Sequence, residues 1–163
     1  MKAIIYTRIS TDDEQQNIKQ QRDYCKKYAE KEGYEVLHTI GDKVSGKTSI
    51  LSRSGGKRMI LFLEQNPEVH LIVQDIDRLC RNFYDAVWFE RWALEKNLTI
   101  KSLSEMVDLK NPMGKLMFRI KVAMNAFYLE NLQQKIRIGI ERAKAEGKYK
   151  GRKKGALGKK NKI

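Results

Sequence analysis

The sequence predicts an α/β protein: a mostly parallel four- to five-stranded sheet with helices on both faces, followed by a long C-terminal helix. Three observations carry that prediction. Short apolar stretches, Ala3 to Ile9 and His70 to Gln74 among them, alternate with segments of helical period. Turn residues such as Gly33 and Gly41 punctuate the alternation, as strand–helix–strand crossovers require. Helical periodicity then runs unbroken from Pro112 to Gly147, about 50 Å of helix and more than a domain this small can cover.

The first strand is Ala3 to Ser10. Its alternation puts Ala3, Ile5, Thr7 and Ile9 on one face and Ile4, Tyr6, Arg8 and Ser10 on the other. Arg8 and Ser10 therefore share a face, about 7 Å apart. Ser10 to Asp13, or Thr11 to Glu14, also fits the capping-box spacing, so the Ser10 hydroxyl has a structural reading beside a chemical one. A helix from Asp12 to Glu32 stops at Gly33, with Ile18, Gln21, Cys25, Tyr28 and Ala29 on its inward stripe. An amide at Gln21 needs a buried partner or a polar site.

Tyr34 to Ile40 is the second strand. It runs into Gly41-Asp42-Lys43-Val44-Ser45-Gly46 and a polar loop through Ser54 and two glycines, before a helix from Lys57 to Gln65. His70 to Gln74 is the third strand and ends in Asp75-Ile76-Asp77-Arg78-Leu79-Cys80-Arg81. The helix from Phe83 to Lys96 is expected to bury Phe83, Val87 and Leu94, with Trp88 and Trp92 on a second stripe. Leu98 to Leu103 is the fourth strand, and Asn111-Pro112 starts the final helix. Its apolar positions are Met113, Leu116, Met117, Ile120, Ala123, Met124 and Phe127, then Leu132, Ile136, Ile140 and Ala143. The expected division is 1–110 for the α/β body, 111–147 for the long helix and 148–163 for a flexible basic arm.

Charge is concentrated at one end. The chain carries 33 Lys+Arg against 20 Asp+Glu, and 12 of those cations but only 2 of the acids lie in residues 135–163. A basic tail of this kind implies a polyanionic partner, DNA, RNA or an acidic membrane surface. The scarcity of large apolar residues after Tyr149 disfavours a membrane. No stretch has the length and apolarity of a transmembrane span, and the N-terminus lacks a signal peptide's apolar run. Two cysteines, Cys25 and Cys80, without metal spacing suit a reducing compartment. A cytoplasmic, DNA-associated protein is expected.

In doubly wound sheets ligands bind beyond the carboxyl ends of the strands. Arg8 and Ser10 end the first strand, Asp42 the second, and Asp77, Arg78 and Arg81 the third. Two chemistries fit that edge. Asp75 and Asp77 could hold a divalent metal for hydrolysis, but the neighbouring guanidinium groups compete with a cation. Metal-free transesterification uses the same residues without conflict. Arg8, Arg78 and Arg81 neutralise the phosphate, Ser10 attacks it, Asp77 orients an arginine or moves a proton, and Gln21 holds a phosphate oxygen. His38 and His70 lie within or before strands and supply no general base.

Tyr6-x-Arg8-x-Ser10-Thr11, Gln16-Asn17-Ile18-x-x-Gln21, Asp42-Lys43-x-Ser45-Gly46, Asp77-Arg78-Leu79-x-Arg81 and Pro112-Met113-Gly114 stand in that order. Together they resemble the catalytic domain of the serine recombinases, the resolvase/invertase group, over residues 2 to about 152. Glu130 and Arg137 fit the same pattern. The resemblance implies a 5′-phosphoserine intermediate on Ser10, strand exchange in a tetramer built from dimers, religation, and no metal or cofactor. It places Arg8, Gln21, Asp77, Arg78 and Arg81 around the phosphate, with Asp42 and Arg53 in support. It gives the long helix, with Phe127 and Glu130, to oligomerisation. DNA contact falls to Arg137, Arg142, Lys144, Lys148, Lys150, Arg152, Lys153 and Lys154.

Three departures stand out: Asn131 where many relatives carry arginine, Cys80 in place of a glycine, and no DNA-binding domain after the arm. They admit a second reading, a catalytically idle DNA-binding or regulatory partner of a full-length recombinase. A metal-dependent nuclease is the third. The residues do not separate resolution from inversion, integration or transposition.

Overall fold

The first strand is apolar on both faces, and it lies inside the sheet. In the computed structural model, which describes residues 1–10, 16–45, 48–80, 83–104, 107–149 and 151, this strand is β1 (Lys2–Ile9), buried at every position after Lys2. Parallel β2 (Glu35–Lys43) pairs on one side and parallel β3 (His70–Val73) on the other. Parallel β4 (Ile100–Ser102) and antiparallel β5 (Val107–Asp108) complete the order β2-β1-β3-β4-β5. The chain leaves β1 in one direction and returns on its other side, so the switch point of the sheet lies between β1 and β3.

The helices are α1 (Gln16–Lys31), α2 (Ser54–Gln65), the single turn α3 (Ile76–Leu79), α4 (Phe83–Glu95) and α5 (Pro112–Ala145). Ala3, Ile5 and Ile72 pack with Cys25 and Ala29 of α1 on one face of the sheet. Ile4, Tyr6, Leu71 and Val73 pack with residues of α2, α4 and α5 on the other. Both cysteines are buried free thiols. Burial pushes Cys25 up to about 12 and raises Cys80 further, with Asp85 adding to the latter.

Chain punctuation works as its chemistry dictates. Gly33 stands at φ +71°, and the following Tyr34 N–H reaches back to the Ala29 carbonyl at 2.8 Å. That geometry closes α1 and costs least with glycine. Asn111 caps α5 by accepting the Met113 N–H at 2.9 Å, with Pro112 at the first helical position.

Three expectations need correcting. β2 runs to Lys43, so Asp42 lies inside the strand, paired in register with Arg8. α2 begins at Ser54, so the two glycines form its first turn; their N–H groups are satisfied by Asp42 from outside the helix. α4 turns a different face inward. Asp85, Ala86, Phe89, Glu90, Trp92 and Ala93 are buried, while Phe83, Val87 and Leu94 are exposed. Polar partners set that rotation: the Trp92 indole N–H donates to Glu64 at 3.0 Å, Arg119 pairs with Glu90, and Asp85 accepts from Ser49 at 2.8 Å. Trp88 stacks on Trp92 with centroids 5.6 Å apart.

The chain divides into two compact units, Met1–Ala126 and Phe127–Ile163, the boundary falling within α5. In the first unit, α5 turns Gly114, Phe118 and Val122 inward and leaves Met113, Leu116, Met117, Ile120 and Met124 exposed. The uncovered apolar stripe thus begins earlier than the sequence suggests. In the second unit, Phe127, Leu132 and Ile136 are exposed, and Gly147 at φ +68° follows the end of the helix. No helix among the described residues is long and apolar enough to cross a membrane.

Candidate active site

Parallel pairing brings the carboxyl ends of β1, β2 and β3 to one edge, where Arg8, Asp42, Asp77 and Arg78 lie. Ser10 follows the last residue of β1 and is partly buried. Arg8, two residues earlier, is 0% exposed. Its guanidinium donates to the Val44 carbonyl after β2 at 3.2 Å and to the Asp77 carbonyl after β3 at 3.3 Å. Arg78 returns the contact, donating from Nη1 to the Arg8 carbonyl at 3.3 Å. Each arginine therefore holds the main chain that carries the other, bracing the β1 and β3 ends across the switch point.

Arg78 is the less committed of the two. Its Nε, buried and without a hydrogen bond, faces the Asp75 carboxylate at 3.7 Å. The Asp77 carboxylate accepts a hydrogen bond from the Asn125 amide on α5. Asp75 is thus paired with a guanidinium and Asp77 with an amide. Among the described residues no three His, Cys, Asp or Glu side chains gather as a metal site would need.

Gln21 is 1% exposed, and its carbonyl oxygen accepts the Arg8 main-chain N–H at 3.3 Å. That bond uses the Gln21 acceptor, whereas a hold on a phosphate oxygen would use its amide donor.

Asp42 and Arg53 are buried, at 5% and 1% exposure, and both serve the frame. The Asp42 carboxylate accepts the Gly55 and Gly56 N–H groups at 2.9 Å each and the Tyr6 hydroxyl at 2.8 Å. Arg53 donates to Thr48 at 2.9 Å and, through Nη1, to the carbonyls of Arg78 and Leu79 at 2.8 and 3.0 Å. The same Nη1 reaches the Tyr6 oxygen at 3.3 Å, so a buried phenol links the opposite charges. Burial raises the Tyr6 pKa, partly offset by Arg53, and the hydroxyl stays protonated and able to donate.

Glycine is required where these segments touch. A Cβ at Gly55 would stand 2.7 Å from the Asp42 carboxylate, one at Gly56 2.2 Å from the Ile50 carbonyl, and one at Gly114 2.0 Å from the Asp108 carbonyl. Cys80, by contrast, has extended backbone at φ −133° and is buried, so the turn after Leu79 does not need a glycine.

Arg81, Lys150, Arg152, Lys153 and Lys154 lie outside the described residues. Arg137, Arg142, Lys144 and Lys148 are exposed. Arg137 pairs with Glu141 at 3.3 Å, Lys148 with Glu146 at 2.8 Å, and Lys144 sits 5.6 Å from the Tyr149 ring centroid. Phe127 and Glu130 are exposed as well.

Sequence reasoning missed the roles of Tyr6 and Asn125. Tyr6 alternates onto the face of Arg8, and Asn125 continues the inward spacing of Phe118 and Val122. An amide on an inward stripe is the signal that marked Gln21.

The family described as "Resolvase, N terminal domain" matches residues 3–149. The chain is 30% identical over 147 residues to the DNA-invertase of Escherichia phage P1, covering 90% of this chain and 73% of that protein. It is 29% identical over 152 residues to the DNA-invertase hin of Salmonella typhimurium, covering 93% and 74%. Among solved structures, the N-terminal catalytic domain of TP901-1 integrase superposes with a TM-score of 0.62 at 31% identity, covering 80% of this chain and 98% of that one.

Proposed function

We propose, for a chain that belongs to the resolvase family of serine recombinases, that its first unit breaks and rejoins DNA by metal-free transesterification at Ser10. The observation that carries this reading is the reciprocal arginine brace beside Ser10. Two guanidinium groups lie at the switch point of the sheet, where an α/β protein binds its ligand.

The Ser10 oxygen attacks the phosphorus of a DNA phosphodiester and the P–O3′ bond breaks. The 5′ phosphate stays on Ser10, and the serine proton ends on the departing 3′ oxygen. Attack by a 3′ hydroxyl reverses the step, so the phosphoester bond is conserved and religation needs no external energy source. Charge grows on the non-bridging oxygens as the phosphorus becomes five-coordinate, and planar, bidentate guanidinium groups match it. Arg8 is fully buried with both terminal guanidinium nitrogens on carbonyls. DNA engagement therefore exchanges carbonyl partners for phosphate oxygens, with Arg78, the more accessible group, moving first. Arg81 joins them, and Asp77 and Gln21 hold the segments that carry the arginines. The cations from Arg137 onward supply salt-sensitive affinity for the DNA backbone, and the apolar stripe of α5 pairs subunits into dimers and tetramers.

Supercoiled DNA carrying the cognate site tests the reading. Incubation in EDTA is expected to leave protein attached to 5′ ends, while Ser10→Ala binds DNA with unchanged affinity and forms no adduct. Adduct formation by Ser10→Ala, or cleavage that needs Mg²⁺ and leaves no adduct, refutes it.

A further inference from the structure

We propose that Asn125 is a positioning residue that ties the Asp77 segment, and through it Arg8, to helix α5. The inference rests on the recombinase reading for its consequence in catalysis but not for the tether itself.

Asn125 is partly buried in the inward row of α5 with Phe118 and Val122. Its amide donates to the Asp77 carboxylate across a sequence separation of 48 residues. The main-chain carbonyl of Asp77 in turn accepts from the Arg8 guanidinium at 3.3 Å. Asp77 is thus gripped at two points, by α5 through its side chain and by β1 through its backbone. It sits in the single-turn helix α3, which has no side-chain cap at its N-terminus. A turn that short has almost no stability of its own, so outside contacts set its position. Arg53 holds the far end of the turn at Arg78 and Leu79. Asn125 holds the near end.

The chemistry of the pair suits a tether. A charged acceptor strengthens the bond, and a neutral amide fixes Asp77 without a further cation in the arginine cluster. An arginine at position 125 would place a rival guanidinium on the same carboxylate, and asparagine adds none. The position of α5 is in this way communicated to the residue on which Arg8 rests.

The test uses the whole chain and three variants: Asn125→Ala, Asn125→Ser, which keeps a donor, and Val122→Ala, which weakens the same helix without touching Asp77. In the DNA-free protein, amide exchange across residues 75–80 is expected to rise at least fivefold in Asn125→Ala, and to rise less in Asn125→Ser. In Val122→Ala it stays at the wild-type level once matched for global stability. With DNA, single-turnover adduct formation falls about tenfold in Asn125→Ala at unchanged DNA affinity, and Asn125→Ser recovers most of the rate. Unchanged exchange in Asn125→Ala overturns the tether. An equal rate loss in Val122→Ala overturns the positioning role. Failure of the unaltered protein to form any adduct counts against the recombinase reading instead, and the exchange measurement still decides the tether.

Discussion

Replacing Arg53 by methionine removes a buried cation and four hydrogen bonds while keeping much of the side-chain volume. The guanidinium is 1% exposed and donates to the carbonyls of Thr48, Arg78 and Leu79 and to the Tyr6 hydroxyl. Its loss strands those carbonyls and leaves the Asp42 carboxylate without the opposite charge that Tyr6 relays. Removing one member of a buried charge pair costs about 3–5 kcal/mol. At about 2–4 °C per kcal/mol for a chain of this size, the melting temperature should fall by roughly 6–20 °C. Arg53→Lys keeps the charge, but one ammonium cannot reach both Thr48 and the α3 carbonyls; a loss of about 2 kcal/mol is expected, from bonds to a charged donor. Asp42→Asn should be destabilising alone. Combined with Arg53→Met it should cost less than the sum, by roughly 0.5–3 kcal/mol of coupling. Urea unfolding followed by circular dichroism measures all four proteins. A cost below about 1 kcal/mol for Arg53→Met, or strict additivity with Asp42→Asn, would refute the buried-network argument.

Further outcomes follow from the geometry. Gly114→Ala puts a methyl 2.0 Å from the Asp108 carbonyl, and Gly56→Ala one 2.2 Å from that of Ile50. Each should cost at least about 1–3 kcal/mol, as overpacking does, and a neutral result in thermal melts would show that the backbone yields. His70 accepts or donates one hydrogen bond with Tyr34 at 2.8 Å, and burial, then Lys110 and Lys101, lower its pKa. The unfolded chain therefore takes up a proton below about pH 6.5 while the folded protein does not, so stability should fall between that pH and the lower folded value. His70→Gln should remove that part of the pH dependence; parallel curves for the two proteins would refute the assignment.

What the sequence made legible is what local chemistry decides. The period-2 pattern of β1 located the strand that both faces of the core are built on, and Gly33, Gly147 and Asn111-Pro112 marked helix ends that the backbone realises with positive φ or a side-chain cap. Placing Arg8, Ser10, Asp42, Asp77 and Arg78 at one edge followed from parallel pairing alone. Illegible features depend on partners distant in sequence. The start of α2 is capped by Asp42, 13 residues before Gly55, so Gly55-Gly56 read locally as loop. The inward face of α4 is chosen by Glu64 and Arg119 rather than by its own hydrophobic spacing. Arg8 and Arg78 read as phosphate ligands, whereas here their guanidinium groups hold each other's main chain, a contact that alternation along one strand cannot reveal.

The two buried thiols have a practical corollary. Cys25 and Cys80 are almost wholly inaccessible and held protonated, so alkylating probes at neutral pH should pass the unaltered protein by. A single cysteine introduced at Lys96, exposed and outside the apolar stripe of α5, would then take a fluorophore or spin label without a cysteine-free background first being made. Distances between labels on two copies would report subunit association directly.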